Sequence, residues 1–102
     1  MTVSWTEPAE VRLKEIFDYH LEVANRRTAR KITNEITERT RILAQNPQAG
    51  PVEELLKERR KEHRYLIEGN YKIIYRIDPE VIWVVAVFDC RQNPEKILEE
   101  VG

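Results

Sequence analysis

Residues 57–64 read KERRKEHR and set five permanent cations, Lys57, Arg59, Arg60, Lys61 and Arg64, within eight positions. Glu58 and Glu62 offset part of that charge, and His63 adds a ring that titrates near neutral pH. Clustered guanidinium and ammonium groups grip a phosphoryl group or stabilise charge developing on one. A solvated charged loop is the other reading of such a run. A second signal stands at 86–97, AVFDCRQNPEKI, where an apolar run ends in Asp89, Cys90, Arg91, Gln92 and Asn93. That cluster is either an active or target-binding face built around Arg91, or a helix-capping turn in which Arg91 pairs with an acidic neighbour.

Groups for acid–base work are sparse. His63 is one candidate. Glu53 and Glu54 precede the basic run and could act as a base, although a surface role is the simpler reading. His20 falls on an apolar helical stripe and reads as a packed, hydrogen-bonded core residue. Tyr65, Tyr71 and Tyr75 fit sheet packing at least as well as base stacking. Cys90 is the single cysteine, which excludes an internal disulfide and fits a reducing compartment. The Cys and His positions suit no metal site, and there is no glycine-rich phosphate loop. Neither a metal nor a cofactor is expected.

The elements that must position these groups follow from periodicity. TVSW (2–5) alternates and predicts a short strand, after which Thr6 offers an N-cap and Glu7-Pro8 a first helical turn. Ala9, Leu13, Ile16, Phe17, His20, Leu21 and Ala24 form one amphipathic stripe. After ANRR a second stripe runs through Ala29, Ile32, Ile36, Leu43 and Ala44. Its outer face carries Arg27, Arg30, Lys31, Glu35, Glu38, Arg39 and Arg41. So short a break predicts an antiparallel helical hairpin. QNPQAGP closes the second helix.

HRYLIE, YKIIYRI and VIWVVAVF then alternate with the turns Gly69-Asn70 and Asp78-Pro79-Glu80, which predicts a three-strand antiparallel meander. The last run is apolar throughout and should be covered on both faces. NPEKILEE reads as a short closing helix capped by Asn93. The order is an α+β architecture with two helices packed on one sheet. In this arrangement Arg64, Leu66 and Glu68 share a strand face. Register permitting, Lys72 and Arg76 join them, and with Arg91 they converge on the sheet surface that the helices leave uncovered.

At 102 residues the chain is a single domain, residues 1–102, long enough to bury a core without staples. A net charge of −1 differs from that of a dedicated nucleic-acid binder, so phosphate binding would have to use a local patch. The N-terminus has no signal-peptide pattern and no run approaches a membrane span, so a soluble cytoplasmic protein with no membrane partner is expected.

The pattern as a whole resembles the RelE/ParE superfamily of toxins from bacterial type II toxin–antitoxin systems. The resemblance runs through W-x-x-x-A near the start, L-x-x-N-P-x-x-G after the second helix, HRYLIEGNYKIIYRI, and V-x-V-F-D-C-R-Q-N-P-E-K. It implies that family's helical hairpin on an antiparallel sheet, and a growth-arresting toxin neutralised by a cognate antitoxin, the kind of module used in plasmid stabilization. RelE-like members cut mRNA in the ribosome; ParE-like members poison DNA gyrase without hydrolysis. Arg64 falls where the family often has an Arg in its second strand, and Arg91 where many members have one after the last strand. RelE-like nucleases often place a His or Tyr near the chain end and many are strongly basic; this chain has no Tyr after Phe88 and is nearly neutral. These departures turn the reading toward a ParE-like inhibitor of gyrase, with Lys57, Arg59, Arg60, Lys61, Arg64, Lys72, Arg76 and Arg91 as target-binding candidates. The alternatives are an endonuclease acting on ribosome and mRNA, with Arg64 and Arg91 catalytic and Glu54 or His63 assisting, and a non-toxic interaction domain of the same fold.

Overall fold

A computed structural model describes residues 1–102. Strand β1 spans Thr2–Trp5 and ends at Thr6, whose Oγ1 accepts the Ala9 N–H at 3.3 Å and starts helix α1, Glu7–Val23. The break before helix α2, Arg26–Arg39, is a capped corner: the Asn25 side chain accepts the Thr28 N–H at 2.8 Å. The second helix does not run regularly to Ala44. Thr40–Ala44 tighten into a 3-10 turn, where the Thr40 hydroxyl donates to the Thr37 carbonyl at 2.7 Å. Strands β2, His63–Glu68, β3, Tyr71–Ile77, and β4, Val81–Asp89, form the expected meander. The sheet order is β1-β4-β3-β2, and β1 lies parallel to β4, which makes the sheet mixed.

The helix-side core joins Ala9, Ile16, Ile36 and Leu43 to Leu66, Ile73, Tyr75, Val84 and Val87 from the strands. Burying each large aliphatic contributes about 1.5–3 kcal/mol. The opposite face of the sheet is not bare, contrary to the expectation from the sequence. Leu56, from a 3-10 turn at Glu54–Leu56, covers it together with Ile97 and Val101, which flank and begin helix α3, Ile97–Glu100. They pack on Ile74, Val85, Ala86 and Phe88. A bulge permits this. Ile74 pairs with Ala86 but Tyr75 with Val84, so Val85 is the extra residue, and Val85 and Ala86 both enter the second core. β4 is therefore covered on both faces, as its continuous apolar run requires.

One loop is fastened to the sheet by close contact. The buried Tyr75 hydroxyl donates to the Pro47 carbonyl at 2.8 Å and accepts the Gly50 N–H at 3.0 Å. A Cβ at Gly50 would sit 1.9 Å from the Tyr65 carbonyl oxygen, so only glycine fits there. The backbone then runs beside the outer edge of β2, with Glu53 N–H on His63 C=O at 2.9 Å and Tyr65 N–H on Pro51 C=O at 3.1 Å. That covers half of an otherwise open strand edge.

Candidate functional site

The basic run forms turns between the Glu54–Leu56 segment and β2, and most of its charge is already matched. Lys57 lies 4.0 Å from Glu54, and Lys61 lies 3.3 Å from Asp78. Arg59 donates to the Leu98 carbonyl at 3.2 Å and so ties the run to α3. Arg64 donates to the Glu62 carboxylate and, at 2.7 Å, to the Gly50 carbonyl; its side chain is 18% exposed. Arg60 alone among these cations is exposed with no ion pair. Five cations in eight residues therefore act mainly as fasteners for a loop and a helix.

The anticipated convergence of Arg64 with Lys72 and Arg76 does not form. In the β2–β3 register Arg64 faces Tyr75, Leu66 faces Ile73, and Glu68 faces Tyr71, which places the Arg64 set on the helix side. Lys72 pairs with Ile67 and Arg76 with His63, on the opposite face. The two sets cannot meet, because directly opposed residues of an antiparallel pair share a face. On its own side Lys72 reaches Glu53 at 2.8 Å, a pair in which the carboxylate side chain is 5% exposed, and the ammonium lies 4.2 Å from the Tyr65 ring centre. Arg76 lies 3.5 Å from Asp78 and stacks 6.0 Å from the Trp83 ring. Arg91 is at the other end of the sheet from Arg64. Its strand neighbour Asp89 pairs with Tyr71, four residues along β3 from the Tyr75 that pairs with Arg64. At ~3.3 Å per residue that is about 13 Å.

The acid–base candidates are similarly occupied. His63 is buried, and its Nδ1 bonds the Lys61 carbonyl at 3.0 Å. Burial pushes its pKa down, with the nearby Arg76 and Arg59 charges acting in the same direction, so the ring is neutral at pH 7. Glu53, expected at the surface, is instead buried; besides holding Lys72 it accepts the Leu55 N–H at 3.3 Å. Glu54 is exposed and meets only Lys57. No three His, Cys, Asp or Glu side chains come together as a metal-ligand set.

A cleft of about 310 Å³ opens at the end of the sheet that carries Arg91, between α1, the end of β4 and α3. Arg91 grips Asp89 with two nitrogens, Nε at 3.0 Å and Nη2 at 2.7 Å, and the Asp89 carboxylate also accepts the Arg91 N–H at 2.9 Å. These bonds hold the Asp89 carboxyl below its usual range. The Arg91 side chain remains 59% exposed. Beside it the Tyr71 hydroxyl and His20 Nε2 lie 2.9 Å apart, and burial, followed by the Asp89 charge, raises the Tyr71 pKa. Arg12 crosses to Glu100, whose pKa is raised by burial against the pull of that Arg. The sequence marked Asp89, Arg91 and Gln92 but not Arg12, Tyr19 or Tyr71 as members of one site. Tyr71 read as a packing residue, and it is its pairing with Asp89 that brings it to the cleft; His20 sits behind it, packed and hydrogen-bonded as its place on the apolar stripe suggested.

A cluster of cations without partners lies elsewhere. Arg26, Arg27, Arg30 and Lys31 are exposed in the first turns of α2, no acidic residue occupies that helix's first turn, and none of the four takes part in an ion pair. Arg27, Arg30 and Lys31 were visible in the sequence only as part of a polar helix face.

A family model described as the ParE toxin of type II toxin–antitoxin systems, parDE, matches residues 3–94. A solved structure titled as a chromosomal ParDE system from P. aeruginosa is similar in fold, with a TM-score of 0.73 and 21% identity. The match covers 87% of this chain and 95% of that one. No curated protein sequence matches the chain. No helix is long and apolar enough to cross a membrane.

Proposed function

The chain belongs to the ParE toxin family and is the toxin of a type II toxin–antitoxin module with a cognate antitoxin, and from that premise we propose that it arrests growth by binding DNA gyrase rather than by cutting RNA. The observation that carries this reading is the occupation of its would-be nuclease groups. Cleavage by 2′-hydroxyl attack needs a base, an acid and cations turned toward the scissile phosphate. Here Arg64 is held by Glu62 and Gly50, His63 is buried with its Nδ1 on the Lys61 carbonyl, and Glu54 meets only Lys57. A toxin that binds a protein needs a complementary surface with a few anchors, for which Arg and Tyr are well suited.

We assign that surface to the cleft end of the sheet. Arg91 stands at its rim, and Tyr19 of α1, half in solvent, lines the same cleft. Val11 and Val23, also exposed, extend from Tyr19 along one face of α1 at helical spacing. The test pairs two measurements. In a supercoiling assay with purified gyrase the chain inhibits, and Arg91→Ala weakens inhibition far more than it lowers the thermal melt, because the Asp89 pair it breaks is exposed and contributes little to stability. Mapping RNA 5′ ends within minutes of induction shows no new cuts. Codon-phased cleavage of translated messages with gyrase unaffected would overturn the reading in favour of the ribosome and mRNA.

A further inference from the structure

Arg26, Arg27, Arg30 and Lys31 form a cationic ridge at the tip of the helical hairpin. The arrangement works against the helix that carries it. Arg26 and Arg30, and Arg27 and Lys31, are like charges one turn apart and repel. All four lie toward the positive end of the helix dipole. Their side chains make no hydrogen bond and no ion pair within the chain, unlike Arg59 and Arg64 of the later basic run. Subtracting these four charges from the net −1 leaves −5 on the rest of the chain. The molecule therefore presents one positive tip on an acidic body.

We propose that this ridge grips the phosphate backbone of duplex DNA. Three Arg and one Lys on a convex, exposed helix face suit phosphate oxygens, which the guanidinium fork meets bidentately. Residues 25–41 contain no aromatic side chain, so the ridge has no platform for stacking the bases of a single strand. The exposed residues of its first ten positions are Arg26, Arg27, Arg30, Lys31, Asn34 and Glu35, with no apolar anchor of the kind that forms the centre of a protein interface. Glu35 and Glu38 close the patch on its far side and confine the contact to about two turns, hence to a few phosphates. The choice of DNA as the duplex rests on the gyrase reading, since gyrase holds duplex DNA. On that reading the tip touches the enzyme's DNA while the cleft end of the sheet meets the protein.

The test is anisotropy of a short fluorescein-labelled duplex of mixed sequence with the purified full chain, across a NaCl series and without gyrase. Binding is weak and indifferent to sequence, and log K falls against log salt with a slope of about −3.6 for four phosphate contacts. The double variant Arg26→Gln/Arg30→Gln lowers that slope in magnitude by about 1.8 and weakens binding at every salt concentration. The control Lys57→Gln/Arg60→Gln, in the other basic run, leaves binding unchanged. Equal binding by the ridge variant and the native chain overturns the proposal, and so does a polyglutamate peptide that displaces the DNA at matched charge. The gyrase reading fails separately: DNA binding with unimpaired supercoiling sinks that reading and leaves the ridge in place.

Discussion

The chain carries two basic runs, residues 57–64 and residues 26–31, and the fold treats them in opposite ways. In the first, Lys57, Lys61 and Arg64 each face a carboxylate, and Arg59 and Arg64 donate to the carbonyls of Leu98 and Gly50. In the second, Arg26, Arg27, Arg30 and Lys31 face solvent alone. The denser run is the structural one. Charge density along a sequence measures how many cations are close, whereas availability depends on which anions the fold brings to them. Glu53 and Asp78 neutralise Lys72, Lys61 and Arg76 from other segments of the chain.

Removing one partner of a buried pair attacks the structural side of that contrast most strongly. Lys72→Ala strands the Glu53 carboxylate in the interior and should destabilise the fold by about 3–5 kcal/mol in urea melts. A second change, Glu53→Gln, should recover much of the loss. If Lys72→Ala alone leaves the midpoint unmoved, the pair is solvated and the lysine is free for another role.

Arg64→Ala comes next. It removes charge-assisted bonds to Glu62 and to the Gly50 carbonyl, for an expected loss of about 1.5–3 kcal/mol. Toxicity should then fall in step with the folded fraction. A melt like that of the native chain combined with lost toxicity would move Arg64 from structure to target contact. The same region contributes a pH dependence through His63. Its folded pKa is lowered, so on acidification the unfolded chain takes up the proton first. Stability is at its full value above about pH 6.5 and declines as pH falls through the window from there to the lower folded value. His63→Phe should flatten that decline, and an unchanged pH profile would mean that the ring is not buried in solution.

The smallest effect has the opposite sign and belongs to the other run. Arg27→Glu places an acid in the first turn of α2 and should stabilise the helix by about 0.3–1 kcal/mol at low salt. A clear loss of stability would show that Arg27 has a structural partner, and the contrast between the runs would collapse.

Much of the fold was legible in the sequence because the governing interactions are local. Thr6 caps α1 as its position before Glu7-Pro8 suggested, and the stripe from Ala9 to Leu21 turns inward. The meander follows from turns too short to permit anything but hairpins, and the continuous apolar run of β4 announces burial on both faces. The candidate site was legible only in part. Arg91 stood out because it breaks off an apolar strand, but Tyr71 has the same residue type as a core neighbour and carries no local mark of a site.

Periodicity, capping and turn chemistry are properties of a few adjacent residues, so the sequence by itself determined the order of elements and the amphipathic faces of the helices. It could not determine which sheet face holds Arg64 and which holds Lys72 and Arg76. A shift of one residue in strand register exchanges the two faces, and the register is set by packing across the whole sheet. Nor could it show that β1 lies parallel to β4, or that Leu56, Ile97 and Val101 close the second face, because these contacts join segments far apart along the chain. The pairing of cations with anions belongs to the same class. An ion pair forms within about 4 Å in space, whatever the separation in sequence. Only the tertiary structure could therefore separate the basic run that holds the fold together from the one left facing solvent.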